Sequence, residues 1–165
     1  QLLFLHRDLG GAPLPQLEGW ALDADEPPLG DTFRDVLLRT HAGSRDCPEL
    51  NATRTGAEIV SGFADPAPGG EWYLVRYGGA PVGVAILAPG AGASETDLCY
   101  FGLVPEARGR GLGAALVHEL LARLRAVGTF GVSLSVDARN EPATRLYARH
   151  GFAERDRRDV WLARW

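Results

Sequence analysis

The sequence predicts a mixed α/β domain in which an antiparallel meander is followed by a helix, a strand, a second helix and a final strand. Three segments with strand character follow one another between Glu71 and Val104, and helical and strand periodicities alternate behind them. The chain has 165 residues, of which 45% are hydrophobic and 23% are charged. This length and composition suit one domain with one sizeable core.

The first 70 residues carry the weakest pattern. A strand is predicted at Leu2–Arg7, and amphipathic helices are predicted at Asp31–His41 and at about Thr55–Ala64. Between the two helices, Arg45–Asn51 is predicted to be a polar loop. Turn-forming residues dominate Asp23–Gly30.

The meander begins after this segment. Its predicted strands are Glu71–Tyr77, Pro81–Ala88 and Thr96–Val104. Gly78 and Gly79 form a two-residue hairpin turn between the first two strands, because glycine tolerates positive φ at both positions.

A long helix is predicted from Gly109 to about Val127, since leucine recurs at every fourth position from Leu112 to Leu124. Glu119 and Arg123 are expected to pair on its outer side. The remaining predicted elements are a strand at Gly131–Val136, a short helix at Pro142–His150 and one or two strands within Phe152–Trp165.

The composition excludes several classes of function. The net charge of −4 disfavours binding to nucleic acid by bulk electrostatics. All 17 basic residues are arginine, so neither a P-loop lysine nor a Schiff-base lysine exists. No uncharged apolar run reaches the roughly 20 residues of a membrane span. The chain has no methionine, so Gln1 is expected to follow processing or to belong to a longer protein.

The two cysteines, Cys47 and Cys99, are expected to be reduced thiols of a cytoplasmic protein. They lack a clustered His or Asp partner, and the four histidines are scattered along the chain. No metal site is therefore expected.

The most informative segment is the turn Arg108-Gly109-Arg110-Gly111-Leu112-Gly113-Ala114, which lies between a predicted strand and the long helix. Unpaired amides at a helix N-terminus bind anions, and the helix dipole favours negative charge there. The two arginines add bidentate donors suited to phosphate. The turn therefore predicts a site for a ligand with a pyrophosphate.

The same residues also fit a dinucleotide fingerprint, formed by Gly109, Gly111 and Ala114 with the acidic Asp137 after the next strand. We rank this alternative lower, because the strand before the turn ends an antiparallel meander. The chain is also too short for a second nucleotide-binding half.

Arg108-x-x-Gly111-x-Gly113 resembles motif A of the GNAT superfamily, the Gcn-five-related N-acetyltransferases. Downstream, the run from Asn140 through Leu146-Tyr147 to Gly151-Phe152 resembles motif B of that family. The resemblance covers about 71–152 well and 1–68 poorly. It implies one GNAT domain, in which 71–165 bind the coenzyme and 1–70 vary with the substrate.

The resemblance implies a GNAT-like fold with splayed central strands and direct transfer of an acetyl group from acetyl-CoA to a small-molecule or peptide amine in a ternary complex. The implied coenzyme contacts are the main chain of Leu103 and Val104, the turn amides of Arg108, Gly109, Arg110, Gly111, Leu112, Gly113 and Ala114, and the side of the cleft formed by Asn140 and Ala143. A GNAT domain that binds coenzyme A without catalysis is the alternative.

Tyr147 matches the tyrosine of the family, which implies that its phenol protonates the departing thiolate. For the base we favour Asp97 over Glu95 and Glu106, because it lies in the strand beside the coenzyme arm. A regular strand would put Asp97 and Leu103 on one face, whereas a bulge would break that phase.

The acceptor is expected to lie against the N-terminal helices, where Asp46, Glu49 and Asp65 could attract a cationic amine. A homodimer is suggested by Trp161 and Trp165 near the end of the chain. Neither a nucleic acid nor a membrane is an expected partner.

Overall fold

The computed structural model describes residues 1–11, 14–64 and 68–161, and their strands form one seven-stranded sheet with the order β2-β3-β4-β5-β6-β1-β7. The strands are β1 (Leu2–Asp8), β2 (Trp20–Asp25), β3 (Glu71–Tyr77), β4 (Ala80–Pro89), β5 (Glu95–Leu103), β6 (Gly131–Asp137) and β7 (Ala153–Arg158). The helices are α1 (Asp31–His41), α2 (Pro48–Asn51), α3 (Gly56–Ala64), α4 (Leu112–Ala126) and α5 (Glu141–Arg149), and a 3₁₀ turn covers Pro105–Ala107. The predicted mixed α/β architecture is confirmed.

The N-terminal third departs most from the prediction. β2 begins at Trp20 and extends into the region where turns are predicted. The sequence does not predict this strand, because Asp23 and Asp25 obscure its strand pattern. It pairs antiparallel with β3 and forms an edge of the sheet. Within the predicted polar loop, one turn of helix, α2, begins at Pro48. Proline suits the first turn of a helix, where its missing N–H is not needed.

β1 lies inside the sheet and not at its edge. It pairs antiparallel with β6 on one side and with β7 on the other. Leu3 and Leu5 of this strand are buried in the core. The first residues of the chain therefore complete the half of the sheet that follows the meander.

A β-bulge in β5 determines where the sheet opens. The register between β4 and β5 shifts between Ile86 and Leu87, which leaves Cys99 as the extra residue. The parallel pairing of β5 with β6 ends where Leu98 lies opposite Leu134, immediately before the bulge. The regular alternation considered for this strand is therefore wrong, and the bulge is confirmed.

Helices flank the sheet on both faces, as two neighbouring residues of β5 demonstrate. A Cβ built on Gly102 would lie 2.7 Å from Cβ of Thr40 in α1, whereas Cδ1 of Leu103 lies 3.8 Å from a Cβ built on Gly113 in α4. Adjacent strand residues point to opposite faces, so we call these the α1 face and the α4 face. Cδ2 of Leu146 lies 3.6 Å from the same position at Gly113, which puts α5 on the α4 face.

The leucine stripe of α4 is buried, as predicted, in the core. Glu119 is buried too, and it accepts a hydrogen bond from the main-chain N–H of Leu17. The guanidinium of Arg123 lies 4.7 Å from the centroid of the Tyr73 ring. The predicted Glu119–Arg123 ion pair is therefore wrong, because each side chain has another partner.

None of the helices within the described ranges is both long enough and apolar enough to cross a membrane. Asp65 and Trp165, which were expected at the acceptor site and at a dimer interface, lie outside the described residues. The end of the segment predicted to hold the last strands, 162–165, also lies outside them.

Candidate functional site

A cavity of about 480 Å³ opens where β5 and β6 stop pairing, and we call it the gap cavity. On the α4 face it is lined by Gly109, Ala143 and Tyr147, and on the α1 face by Thr40 and Asp46. The gap cavity therefore passes between the two strands from one face of the sheet to the other.

The glycine-rich turn presents a run of main-chain donors at the start of α4. Within the described residues, the amides of 109–113 donate to no protein group. The amide of Arg108 donates to the carbonyl oxygen of Pro105, and that of Ala114 to the carbonyl oxygen of Gly111, each at 3.1 Å. Gly109 and Gly111 have φ angles of 69° and 78°, which other residues rarely adopt. The predicted anion site is therefore one residue shorter at each end, because the amides of Arg108 and Ala114 are already occupied.

The Arg108 side chain joins two elements of the fold. Its guanidinium donates to the carbonyl oxygens of Leu103 at 3.0 Å, Ala42 at 2.7 Å and Thr40 at 2.7 Å. It is thus held by main-chain acceptors of β5 and of the end of α1. This guanidinium is therefore occupied by protein groups, and the expectation that it binds phosphate is not met. Arg110, in the same turn, is exposed.

The main chain at the end of β5 offers fewer free groups than expected. The amide of Val104 donates to the carbonyl oxygen of Val82 at 2.9 Å, so it is not available to a ligand. Backbone groups of successive strand residues point to opposite sides. The amide of Leu103 therefore points toward the gap.

Asn140 and Ala143 both line the gap cavity. The side-chain oxygen of Asn140 accepts from the amide of Ala143 at 3.4 Å and so caps α5. Nearby, the carboxylate of Asp46 accepts from the main-chain N–H of Asp137 at 2.7 Å. Burial raises the pKa of Asp46. The structure therefore puts Asp46 in the wall of the gap cavity.

Two carboxylates considered for other roles are already paired. The Asp137 carboxylate is buried and binds the Arg139 guanidinium at 2.6 Å. Arg139 also binds the Glu49 carboxylate at 2.6 Å and lowers the pKa of Glu49 to about 2. Asp137 is thus occupied, and the described strands of the sheet contain a single parallel pair, β5 with β6. Neither feature fits the dinucleotide alternative.

Tyr147 lies in the wall of the gap cavity on α5. Its ring is 6% exposed and packs edge-on against Phe152, with 5.5 Å between the ring centroids. Burial raises the pKa of the Tyr147 phenol, so its hydroxyl keeps its proton at neutral pH. The side chain therefore combines a packing role with a proton donor beside the gap.

A second cavity of about 660 Å³ lies on the α1 face, over β5, β6 and β1, and we call it the face cavity. Asp97 lines it together with Glu95 and Asp8. The two cavities share four residues, which are Leu98, Cys99, Leu134 and Ser135. They therefore meet where the strands separate.

The candidate bases Asp97 and Glu106 differ in their surroundings. Desolvation and the neighbouring Glu95 raise the pKa of Asp97, although His6 opposes the shift. Glu106 is exposed and pairs with Arg39 at 3.2 Å, away from both cavities. Burial raises the pKa of the Cys99 thiol, so this thiol is not activated as a nucleophile.

Sequence reasoning missed five polar residues of the face cavity, which are His6, Asp8, Ser133, Ser135 and Arg155. The alternation of Leu3 and Leu5 could have assigned His6 to the opposite face of the first strand. The neighbours of that strand could not be deduced, because β1 pairs with residues more than 120 positions away.

Known proteins resemble this chain along most of its length. The model of the acetyltransferase (GNAT) family matches residues 37–152. A mycothiol acetyltransferase of Brachybacterium faecium is 35% identical over 98% of this chain and 51% of that protein. One of Actinosynnema mirum is 30% identical over 93% of this chain and 52% of that protein. The chain thus spans about half the length of these curated relatives.

A solved GNAT family acetyltransferase from Elizabethkingia anophelis, with acetyl-CoA bound, superposes with a TM-score of 0.60. The alignment covers 85% of this chain and 80% of that one at 16% identity, so it speaks to the fold. The family model covers well over half of the sequence and includes the turn, the bulged strand and α5. The chain belongs to the acetyltransferase (GNAT) family.

Proposed function

We propose that this protein transfers the acetyl group of acetyl-CoA to an amine, with the coenzyme in the gap cavity and the acceptor in the face cavity. The observation that carries the proposal is the meeting of the two cavities at Leu98, Cys99, Leu134 and Ser135. Two substrates that enter from opposite faces can touch only there. The reaction is a direct attack in a ternary complex.

The coenzyme is held mainly by main-chain groups. Its pyrophosphate accepts hydrogen bonds from the free amides of Gly109, Arg110, Gly111, Leu112 and Gly113, and the α4 dipole favours its charge. The Arg110 side chain adds a cation at the exposed rim. The Leu103 amide pairs with the pantetheine arm, and Asn140 and Ala143 form the opposite wall.

Two side chains manage the protons. Asp97 draws the ammonium form of the acceptor into the face cavity and accepts its proton, and its raised pKa makes it a better base than an ordinary aspartate. The neutral amine attacks the acetyl carbon, the carbon–sulfur bond breaks, the new amide nitrogen loses its second proton, and the thiolate gains one. Tyr147 donates a hydrogen bond to the departing sulfur from the other side of the sheet.

The relatives named mycothiol acetyltransferase suggest an acceptor related to mycothiol. Residues 1–70 shape this acceptor side, since β1 supplies Phe4, His6 and Asp8 to the face cavity. The charge of Glu95 and Asp97 in that cavity favours an acceptor that arrives as a cation.

Calorimetry with acetyl-CoA, coenzyme A and NADH tests the coenzyme half of the proposal. Acetyl-CoA is expected to bind with a micromolar constant and NADH not to bind. Thiol release is then measured with a panel of amines that includes an amine related to mycothiol, and mass spectrometry identifies the product. Binding without thiol release for any amine would favour the non-catalytic alternative, and no binding at millimolar acetyl-CoA would refute the proposal.

A further inference from the structure

The face cavity contains a hydrogen-bonded chain of three side chains that the proposed chemistry has not used. Ser133 Oγ lies 3.0 Å from Nδ1 of His6, and Nε2 of His6 lies 3.0 Å from Oδ1 of Asp8. The three residues come from β6 and β1. The inference below rests on the proposed acetyl transfer.

The positions of the protons in this hydrogen-bonded series follow from the groups at its two ends, the Asp8 carboxylate and the Ser133 hydroxyl. An ionised carboxylate can only accept hydrogen bonds, so Nε2 of His6 carries the proton that faces Asp8. The lone pair of Nδ1 then accepts the Ser133 hydroxyl. The imidazole is therefore poised to receive a proton from Ser133.

The strand register places Ser133 and His6 level with Asp97. In the sheet, Asp97 lies opposite Ser133, and Ser133 lies opposite His6. All three side chains line the face cavity. They form one row across three strands, with the hydroxyl between the carboxylate and the imidazole.

The distance of this row from the reaction centre suits proton transfer. Ser133 lies two residues from Ser135, where the cavities meet, and two strand residues span about 6.7 Å. An attacking amine lies about 3 Å from the acetyl carbon and about 3 Å from its base. An amine placed between the level of Ser133 and the level of Ser135 therefore reaches both the acetyl carbon and the proton acceptor.

Gly131 makes room for the imidazole. A Cβ at this position would lie 2.7 Å from Cε1 and 3.1 Å from Nε2 of His6. The His6 side chain is 13% exposed, whereas that of Asp8 is 79% exposed. The chain thus begins inside the cavity and ends in solvent, where a proton can leave.

We propose that Ser133, His6 and Asp8 form a second proton acceptor for the attacking amine, parallel to Asp97. As the nitrogen–carbon bond forms, the amine proton passes to Ser133 Oγ and the hydroxyl proton of Ser133 passes to Nδ1 of His6. The imidazolium is stabilised by Asp8 and releases its proton to water before the next cycle. The carbon–sulfur electron pair leaves on the thiolate, which takes up a proton from solvent and so balances the proton that the imidazolium releases.

The charges around His6 are those of Asp8 on β1, Glu95 and Asp97 on β5 and Arg155 on β7, and β6 contributes the neutral Ser133. Three acidic residues and one basic residue therefore line the cavity that holds the imidazole.

Double-variant kinetics test the proposal. Asp97→Asn and His6→Asn are each expected to lower kcat/KM about tenfold, and the double variant at least hundredfold, because each route serves when the other is lost. In the Asp97→Asn background, Ser133→Ala should lower kcat/KM as much as His6→Asn does in the same background. A double variant no slower than Asp97→Asn would overturn the relay.

Rescue by a conservative variant guards against a purely structural effect. In the Asp97→Asn background, Asp8→Asn is expected to lower kcat/KM because Nε2 of His6 loses its carboxylate partner, whereas Asp8→Glu, which keeps a carboxylate at this exposed position, should retain most of the rate. Equal rates for the two Asp8 variants would overturn the relay. His118→Asn, on α4, is the matched control and should leave kcat/KM unchanged. If the unmodified protein released no thiol with any amine, the acetyl transfer itself would instead be refuted.

Discussion

The proposed base Asp97 and the proposed acid Tyr147 lie on opposite faces of the sheet, and burial raises the pKa of each. For Asp97 the raised pKa makes the carboxylate a stronger base, as the proposed role requires. For Tyr147 the raised pKa keeps the hydroxyl protonated, as a donor to the thioester sulfur requires in the proposed reaction. Burial thus raises both pKa values, and each shift suits the role proposed for the residue.

Tyr147→Phe is expected to lower kcat roughly 10²-fold and to leave the Kd of acetyl-CoA within about twofold, because the ring still packs against Phe152. Steady-state kinetics and calorimetry measure the two quantities. Tyr73→Phe is the control, since its hydroxyl contacts Arg123 at 3.3 Å outside both cavities. An unchanged kcat for Tyr147→Phe would remove this phenol from the acid role.

The pH dependence of kcat/KM reports the base. Because Asp97 must be ionised to accept a proton, the rate falls as pH drops through its pKa. The raised pKa moves this acid limb above the value of about 3.9 for a free aspartate. Asp97→Asn should lower kcat/KM about tenfold, and Glu106→Gln, which removes an exposed carboxylate paired with Arg39, should not. Equal effects of the two variants would contradict the assignment.

At the scale of elements, the bulge in β5 and the turn before α4 are the two local features that form the site. Both are short departures from regular structure. The bulge at Cys99 coincides with the end of pairing to β6, and the two glycines with positive φ delay the start of α4 until Leu112. The site therefore depends on where regular hydrogen bonding stops.

A comparison of Gly111→Ala with Gly128→Ala distinguishes the effect of backbone strain on stability from the effect of ligand contact on coenzyme affinity. Both glycines flank α4 with positive φ, 78° and 87°, and a Cβ at either position meets no atom within 4 Å. Each substitution should cost about 1 kcal/mol of unfolding free energy. Only Gly111→Ala should weaken acetyl-CoA binding, by at least tenfold, because its methyl group enters the space of the pyrophosphate. Calorimetry and urea denaturation measure both effects, and equal affinities would contradict the proposed anion site.

The sequence predicts most elements but not all of their neighbours. The leucine stripe of α4 and the Gly78-Gly79 turn are local patterns, and both are confirmed. β2 escapes prediction because an edge strand needs little apolar alternation, and Asp23 looks like a turn residue. The contact of Asp46 with Asp137 joins residues 91 positions apart, and no local pattern contains that information.

At the scale of the molecule, Arg108 connects the N-terminal segment to the core. Its three carbonyl acceptors belong to β5 and to the end of α1. Hydrogen bonds from a charged donor contribute about 1.5–3 kcal/mol each, with losses that are not additive. A motif residue that resembles a phosphate ligand in the sequence is thus a structural clamp in the fold.

Arg108→Ala is expected to lower the unfolding free energy by about 2–3 kcal/mol, since three carbonyl groups, two of them in partly buried hydrogen bonds, lose their donor. Arg110→Ala should change stability by less than about 0.5 kcal/mol and weaken acetyl-CoA binding several-fold. Urea denaturation and calorimetry on both variants check the contrast. If Arg110→Ala proved the more destabilising of the two, the clamp would be refuted.

The position of β1 predicts that residues 71–165, the part of the chain expected to bind the coenzyme, do not fold alone. β1 is hydrogen-bonded to β6 and β7, so without it these strands lose their shared neighbour and the core loses Leu3 and Leu5. The segment 71–165 expressed by itself should therefore lack a cooperative thermal transition, whereas the whole chain should unfold in one step. Circular dichroism and calorimetry compare the two, with a mixture of the 71–165 and 1–70 segments as a test of reassembly. A cooperative transition in 71–165 would mean that the sheet closes without β1, and the acceptor side would then be a separate unit.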